Sequence, residues 1–236
     1  MPALAILHQD EDLVAVDKPA GRLVIPGRGA PEPTVREEAE ALLGKLWVVH
    51  RLDRGTSGVL LFARTAPAHR ALCSAFEHHR VTKRYLALVR GLLAKEERVE
   101  APIARGRRGR MRISAGKEGK PAATFVRPLA TFPAKGLPEL TLVEAFPESG
   151  RTHQVRVHLA HLGHPLAVDP DYGDRELLAL PSGCPVLSRT PLHAASLELL
   201  HPVRGQALRI EAPMPFDMAQ AIAAARGEAA QASKSG

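Results

Sequence analysis

Cysteine is nearly absent from this chain: Cys73 and Cys184 are its only two, they lie far apart, and they form no Cys-x-x-Cys pair. That composition indicates neither a disulfide framework nor a zinc knuckle, and reduced thiols are the plain expectation. Long apolar runs are missing too. No stretch approaches the roughly 20 residues needed to span a bilayer, and Met1-Pro2-Ala3 opens directly into a strand-like run without a signal-peptide pattern. A soluble cytoplasmic protein without membrane association is therefore expected. Acidic residues are the minority charge, 25 against 32 lysines and arginines, for a net +7. Excess cations suit a polyanionic partner because neutralising phosphates releases condensed counterions, although charge alone selects no particular one. Aromatic residues make up 4%, so a tyrosine inside a motif stands out. There is no HExxH arrangement and no internal repeat.

What the chain does contain is ordinary for a globular fold: 45% hydrophobic and 24% charged over 236 residues, enough for one large or two small domains. The apolar runs Leu4-Ala5-Ile6-Leu7, Leu13-Val14-Ala15-Val16 and Leu23-Val24-Ile25, separated by turn formers, predict three strands of an antiparallel meander. Thr34 is placed to cap a helix in which Val35, Ala39, Leu42 and Leu43 recur at helical spacing, with Glu37, Glu38 and Glu40 complementing the dipole. Further on, the spacing predicts a helix over 66–80 and a strand over 81–89 that carries Tyr85, which by pattern alone reads as packing. Strands over 122–132 and 137–146 then deliver Glu148-Ser149-Gly150 as the cap of a helix from Arg151 to Leu162. Closing strands over 193–199 and 208–212 and a helix over 216–225 complete one catalytic domain, residues 1–225. The Ala, Ser, Gln and Lys content of 226–236 reads as a disordered tail.

Several polar clusters invite a functional reading. Residues 105–120 gather Arg105, Arg107, Arg108, Arg110, Arg112, Lys117 and Lys120 against Glu118 alone, in a hairpin or loop that is either a solvated basic surface or a clamp for phosphates. His158, His161 and His164 have spacing compatible with a metal on a helix. No cysteine accompanies them, and His164 follows Gly163, where a helix commonly ends, so no metal is assigned. Asp169, Asp171 and Asp174 offer no spacing that singles out one as a catalytic carboxylate.

The stretch most suited to chemistry is Val48-Val49-His50-Arg51-Leu52-Asp53-Arg54-Gly55-Thr56-Ser57-Gly58, entered by one apolar run and left by another, Val59-Leu60-Leu61-Phe62-Ala63. Its polar residues read as a tight loop between two strands, with Asp53 flanked by Arg51 and Arg54. Neighbouring cations favour the charged form of a carboxylate, while Gly55 and Gly58 permit unusual backbone angles. Spacing leaves two roles open for Asp53: a reactive anion, or a carboxylate that satisfies loop amides or pairs with Arg54.

His50-Arg51-Leu52-Asp53-Arg54-Gly55-Thr56-Ser57-Gly58 resembles the HRLD-x-x-TSG signature of the RluA family of pseudouridine synthases. Lys83-Arg84-Tyr85 is similar to that family's Lys-x-Tyr segment, and Gly150-Arg151-Thr152-His153-Gln154-Val155-Arg156-Val157-His158 to its GRTHQ-[LV]-R-x-H segment. Asp17-Lys18-Pro19-Ala20-Gly21, His164-Pro165-Leu166 and Asp171-Tyr172-Gly173 extend the likeness in the same order. The resemblance implies a mixed α/β (α+β) pseudouridine synthase fold: a long, bent, mainly antiparallel sheet with flanking helices and a central RNA-binding cleft, and no preceding small RNA-binding domain of the S4 kind. It implies isomerisation of uridine to pseudouridine in ribosomal RNA, transfer RNA or both, with Asp53 acting on an everted nucleotide. Tyr85 would hold the uracil face, Arg151 would pair with Asp53, Arg51 would fill the place of the flipped base, and Val155 would line the pocket. Gln154 and Arg156 would support the site, while Arg107, Arg108 and Arg110 would grip phosphates alongside Arg54. No metal or other cofactor enters such a reaction, and a monomer is expected. A non-catalytic RNA-binding or ribosome-assembly factor on the same fold is the alternative.

Overall fold

The computed structural model describes residues 4–27, 33–106, 110–133, 138–173, 175, 178–179 and 185–227. Two compact units emerge, one made of 1–85 with 193–213 and the other of 86–192 with 214–236. The architecture is mixed α/β, with mainly antiparallel strands and four helices among the described residues.

In the first unit, β1 (Ala5–Gln9) and β2 (Leu13–Lys18) form a hairpin. Asp10 Oδ1 closes its turn by accepting from the N–H groups of Asp12 at 2.8 Å and Leu13 at 3.0 Å. β2 pairs antiparallel with β4 (Ser57–Ala63), every residue of which is buried. The strand's period of two sends Val59, Leu61 and Ala63 to one face and Leu60 and Phe62 to the other. Helix α2 (Ala66–Glu77) covers the first face with Ala68 and Leu72, and α1 (Val35–Leu43) covers the second with Val35 and Ala39. Two covered faces explain why β4 reads as an unbroken apolar run rather than an alternating one. β13 (Leu192–Leu200) runs parallel to β4, and β14 (Ala207–Glu211) pairs antiparallel with β13.

Thr34 caps α1 as expected, in a reciprocal capping box with Glu37. The expected third meander strand, Leu23-Val24-Ile25, does not form. The carbonyls of Leu23 and Val24 instead accept from the N–H groups of Val35 and Arg36 at 2.9 and 3.2 Å, satisfying first-turn donors of α1, while Val24 packs into the core.

Strand β5 (Thr82–Arg90) passes from the first unit into the second. There the strand order is β5, then β10 (Leu140–Pro147), β9 (Ala123–Phe132) and β6 (Glu97–Glu100). β7 (Ile103–Arg105) and β8 (Met111–Ile113) form a hairpin of their own, as do β11 (Leu178–Ala179) and β12 (Pro185–Leu187). Leu88, Phe132, Leu140, Val168 and Leu187 pack with Ala221, Ile222 and Ala225 of α4 (Phe216–Arg226).

The helix expected to start at Arg151 begins three residues later, as α3 (Gln154–His161). His153 precedes it in the left-handed conformation, φ +55°, so Arg151 lies in a turn outside the helix. Ser149, expected as part of the cap, makes no cap bond; its hydroxyl goes to the side chain of Gln154. The 66–80 helix likewise stops at Glu77. Of the tail expected over 226–236, Arg226 is instead the last residue of α4 and Gly227 its C-cap, while 228–236 lie outside the described residues.

Candidate active site

The Asp53 loop leaves β3 (Trp47–Val48), which pairs with β4 at Phe62 and Ala63. The chain then turns away because the imidazole of His50 takes the N–H of Leu61, Nε2 accepting at 3.0 Å. His50 stacks on Phe76, with ring centroids 4.7 Å apart. Burial and the Lys83 cation push its pKa down to about 3. An amide N–H only donates, so both observations require the neutral ring.

The loop closes on itself where Thr56 N–H donates to the Asp53 carbonyl at 3.1 Å. It is tied to the segment after β2 through Arg54, whose carbonyl accepts from Gly21 N–H at 2.8 Å and from Lys18 Nζ at 3.2 Å. Arg54 Nε returns a bond to the Gly21 carbonyl at 2.8 Å. Lys18 is fully buried and also donates to the Pro19 carbonyl at 2.8 Å. Where the loop re-enters β4, Gly58 has φ +110° and lies against Ala194 of β13. Ser57 Oγ is 3.0 Å from His193 Nδ1, and His193 Nε2 is 3.3 Å from the Ala212 carbonyl. A carbonyl only accepts, so Nε2 carries the proton and Ser57 donates to Nδ1.

Asp53 is half-buried on this anchored loop. Tyr85 packs against the cluster containing Leu52, Leu60 and Phe62. Burial, and then the negative charge of Asp53, push its phenol well above the ordinary tyrosine range. The first unit thus holds a carboxylate beside a phenol that keeps its proton. Lys83 lies two residues earlier on β5, on the same strand face, and burial brings its ammonium down to about 8.

In the second unit, Gln154 organises the turn before α3. Its Oε1 accepts from Ser149 Oγ at 2.7 Å and from Arg151 N–H at 3.0 Å; its Nε2 donates to the Ala123 carbonyl at 2.9 Å and to Thr124 Oγ1 at 3.1 Å. All four bonding positions of this buried amide are filled by protein. Thr124 passes the chain on to His158 Nδ1 at 2.8 Å, and His158 Nε2 donates to the Ala101 carbonyl at 3.0 Å. Burial lowers the His158 pKa, in keeping with that neutral ring. Arg151 is half-buried, with Nε donating to the Pro121 carbonyl at 3.3 Å. Arg156, buried on α3, makes a two-pronged pair with Asp169 at 2.6 and 2.8 Å and reaches Asp171 at 2.8 Å.

The sequence model of the RNA pseudouridylate synthase family matches residues 12–161, spanning the Asp53 loop, Tyr85 and the turn at Arg151. The chain belongs to that family. The synthase is 38% identical to ribosomal large subunit pseudouridine synthase D of Xanthomonas campestris, over 98% of this chain and 72% of that one. It is 41% identical to the protein of the same name from Xylella fastidiosa, over 96% and 71%. Among solved structures it is similar to human RNA pseudouridylate synthase domain containing 1, with a TM-score of 0.72 and 29% identity over 90% of this chain and 84% of that one. The synthase is accordingly an isomerase that converts uridine to pseudouridine in RNA.

Of the residues singled out in the sequence, the structure brings Asp53 and Tyr85 together in the first unit. Arg51 is exposed beside Asp53, while part of the Arg54 guanidinium is turned to Gly21. Arg151, Gln154 and Val155 lie together in the second unit, Val155 buried on α3. Gln154, expected to support the site, has its amide hydrogen-bonded within the protein and holds the Arg151 backbone. Arg110 is exposed next to the β7–β8 hairpin, with Nε 3.4 Å from Asp171 Oδ1. Arg107 and Arg108 lie outside the described residues.

The sequence patterns pointed to no role for Lys18 or His193, the anchors of the Asp53 loop. Lys18 had a signal, since a lysine ending an apolar strand and followed by Pro-Ala-Gly is poorly placed for a solvated charge. Asp10, Asp12 and His201 bring three potential metal-binding atoms within 4.8 Å. Asp10 Oδ2 already accepts from His8 and His201, each at 3.0 Å, so this group ties hairpins together.

Proposed function

We propose that this synthase isomerises a uridine of large-subunit ribosomal RNA, with Asp53 as the reacting group at the ribose of a nucleotide turned out of its stack. The single observation that carries the assignment is a carboxylate on a loop anchored at both ends, near enough to the Tyr85 phenol on β5 for its charge to help hold the phenol protonated. The names of the relatives support the ribosomal substrate.

Asp53 either adds to C1′ as the bond to N1 breaks, or takes the C2′ proton to leave a glycal; both routes need an anion held at the sugar and later released. Tyr85 supplies the flat surface for the freed uracil while it turns to present C5. Turning the nucleotide out costs a few kcal/mol, which Arg51 offsets by occupying the vacated stack. Arg151 assists the carboxylate, Val155 gives the base an apolar neighbour, and Gln154 holds the Arg151 backbone. Arg54, Arg107, Arg108 and Arg110 grip phosphates. The synthase works as a monomer in the cytoplasm and needs no cofactor for this chemistry.

The test is tritium release from C5-labelled uridine in large-subunit ribosomal RNA and, separately, in transfer RNA. The purified protein should release label from the ribosomal substrate. Asp53→Asn, nearly the same in shape, should release none while still binding RNA. Turnover by that variant at the normal rate would remove Asp53 from the reaction, and label released from transfer RNA alone would reassign the substrate.

A further inference from the structure

The motif Asp171-Tyr172-Gly173 takes no part in the reaction as set out above, yet Tyr172 sits at a junction in the second unit. Its hydroxyl accepts the N–H of Met111 at 2.9 Å and lies 2.8 Å from His153 Nδ1. Since Met111 can only donate, the hydroxyl proton is free to go to His153, forming a directed chain from Met111 N–H through Tyr172 O–H to the imidazole. Met111 opens β8 and is the register partner of Arg105, an exposed cation at the end of β7, so the chain starts at the basic hairpin. It ends at a strained residue. His153 is one of two non-glycine residues with positive φ among the described residues, and it forms the N-cap of α3, two positions after Arg151.

The Tyr172 ring is fixed from two further sides. It meets the His153 ring edge-on, with centroids 5.6 Å apart, and the Arg156 guanidinium lies 4.9 Å from its centre. Arg156 is itself locked by Asp169, whose Oδ1 accepts from the N–H groups of Asp171 at 2.9 Å and Tyr172 at 3.3 Å. Tyr172 therefore has little freedom to move independently of either end of the chain.

We propose that Tyr172 is a positioning residue that couples the basic β7–β8 hairpin to the left-handed turn presenting Arg151, so that RNA held by the hairpin sets that turn in its working conformation. The coupling rests on reading the hairpin as an RNA clamp. A tyrosine that merely filled space would need its ring, whereas the coupling needs its hydroxyl.

The experiment is a double-variant cycle on the full chain, using the labelled ribosomal substrate at saturation for kcat and filter binding for affinity. Tyr172→Phe keeps the ring and removes both hydrogen bonds. Arg105→Ala should weaken RNA binding and also lower kcat by about tenfold. In the Tyr172→Phe background it should still weaken binding but lower kcat by less than about twofold, because the hairpin no longer reports to the turn. Costs on kcat that simply multiply overturn the coupling while leaving the clamp intact. Unchanged affinity in Arg105→Ala overturns the clamp and the coupling with it. Should Tyr172→Phe fold poorly, His153→Gly takes its place, since glycine adopts the left-handed conformation without strain and removes the acceptor.

Discussion

Gly58→Ala is the sharpest test of how the reactive loop is held. Gly58 has φ +110°, and a Cβ placed there would lie 2.7 Å from the carbonyl carbon of Ala194, 2.8 Å from its nitrogen, and closer still to its oxygen. All three are backbone atoms of β13, so no side chain can swing aside. Ordinary carbon–oxygen contact needs ~3.3 Å, so β4 and β13 must separate where Ser57 and Gly58 pair with His193 and Ala194. Backbone strain contributes about 1–3 kcal/mol, and each ladder bond lost adds roughly 1 kcal/mol. With two such bonds lost the sum is about 3–5 kcal/mol, which for a chain of this size lowers Tm by about 6–20 °C. The Ser57–His193 bond lies in the strained pair, so the Asp53 loop loosens and tritium release falls as well. Gly163→Ala is the control: φ is +83° but nothing lies within 4 Å of the new Cβ, leaving a conformational cost of about 1–2 kcal/mol. Calorimetry on both variants decides it. Equal losses of Tm would show that the close approach of β13 does not constrain the loop.

Three further outcomes are expected. Arg156→Met leaves the Asp169 carboxylate buried without its guanidinium and should destabilise by about 3–5 kcal/mol in chemical denaturation; a loss below about 1 kcal/mol would contradict the pairing. Burial lowers the Lys83 pKa from 10.5 to about 8, so between those values the unfolded chain binds more protons and stability should rise with pH. Lys83→Met should remove that rise and add ~3 kcal/mol below pH 8, and a Tm–pH curve unchanged by the substitution would count against it. His50 is held neutral down to about pH 3 in the fold but protonates near 6.5 when unfolded, so stability should fall as pH drops through that window, by up to ~5 kcal/mol. His50→Gln, which can still accept from Leu61 but does not titrate, should flatten the fall; an equally steep curve would clear His50 of the effect.

Where the chain's local preferences agreed with its surroundings, they were readable. Thr34 and Glu37 sit at the right separation to cap each other, and they do. The apolar run 59–63 reads as a strand, and it is one. Leu23-Val24-Ile25 looks equally strand-like, but its carbonyls face a helix end that needs acceptors. Arg151 looks like the first residue of a helix, but the left-handed turn at His153, held by a tyrosine 19 residues away, delays the start. Gln154 stood out only as part of a motif, as a residue that would support the site, and only the fold reveals that Ser149, Arg151, Ala123 and Thr124 use its amide.

By itself the sequence determined those strands and helices whose local pattern agreed with their surroundings, the basic 105–120 segment and the order of three motifs, because hydrophobic periodicity, capping and turn chemistry act between residues a few positions apart. Periodicity left Asp53 and Tyr85 with open roles, and only their motifs, through resemblance to the RluA family, put them forward together. Tertiary structure alone decided what holds them: Lys18 reaches Arg54 across 36 positions and Ser57 reaches His193 across 136. Those pairings depend on which strands become neighbours. A buried lysine or histidine acquires its protonation and its partner only after the sheet has formed around it.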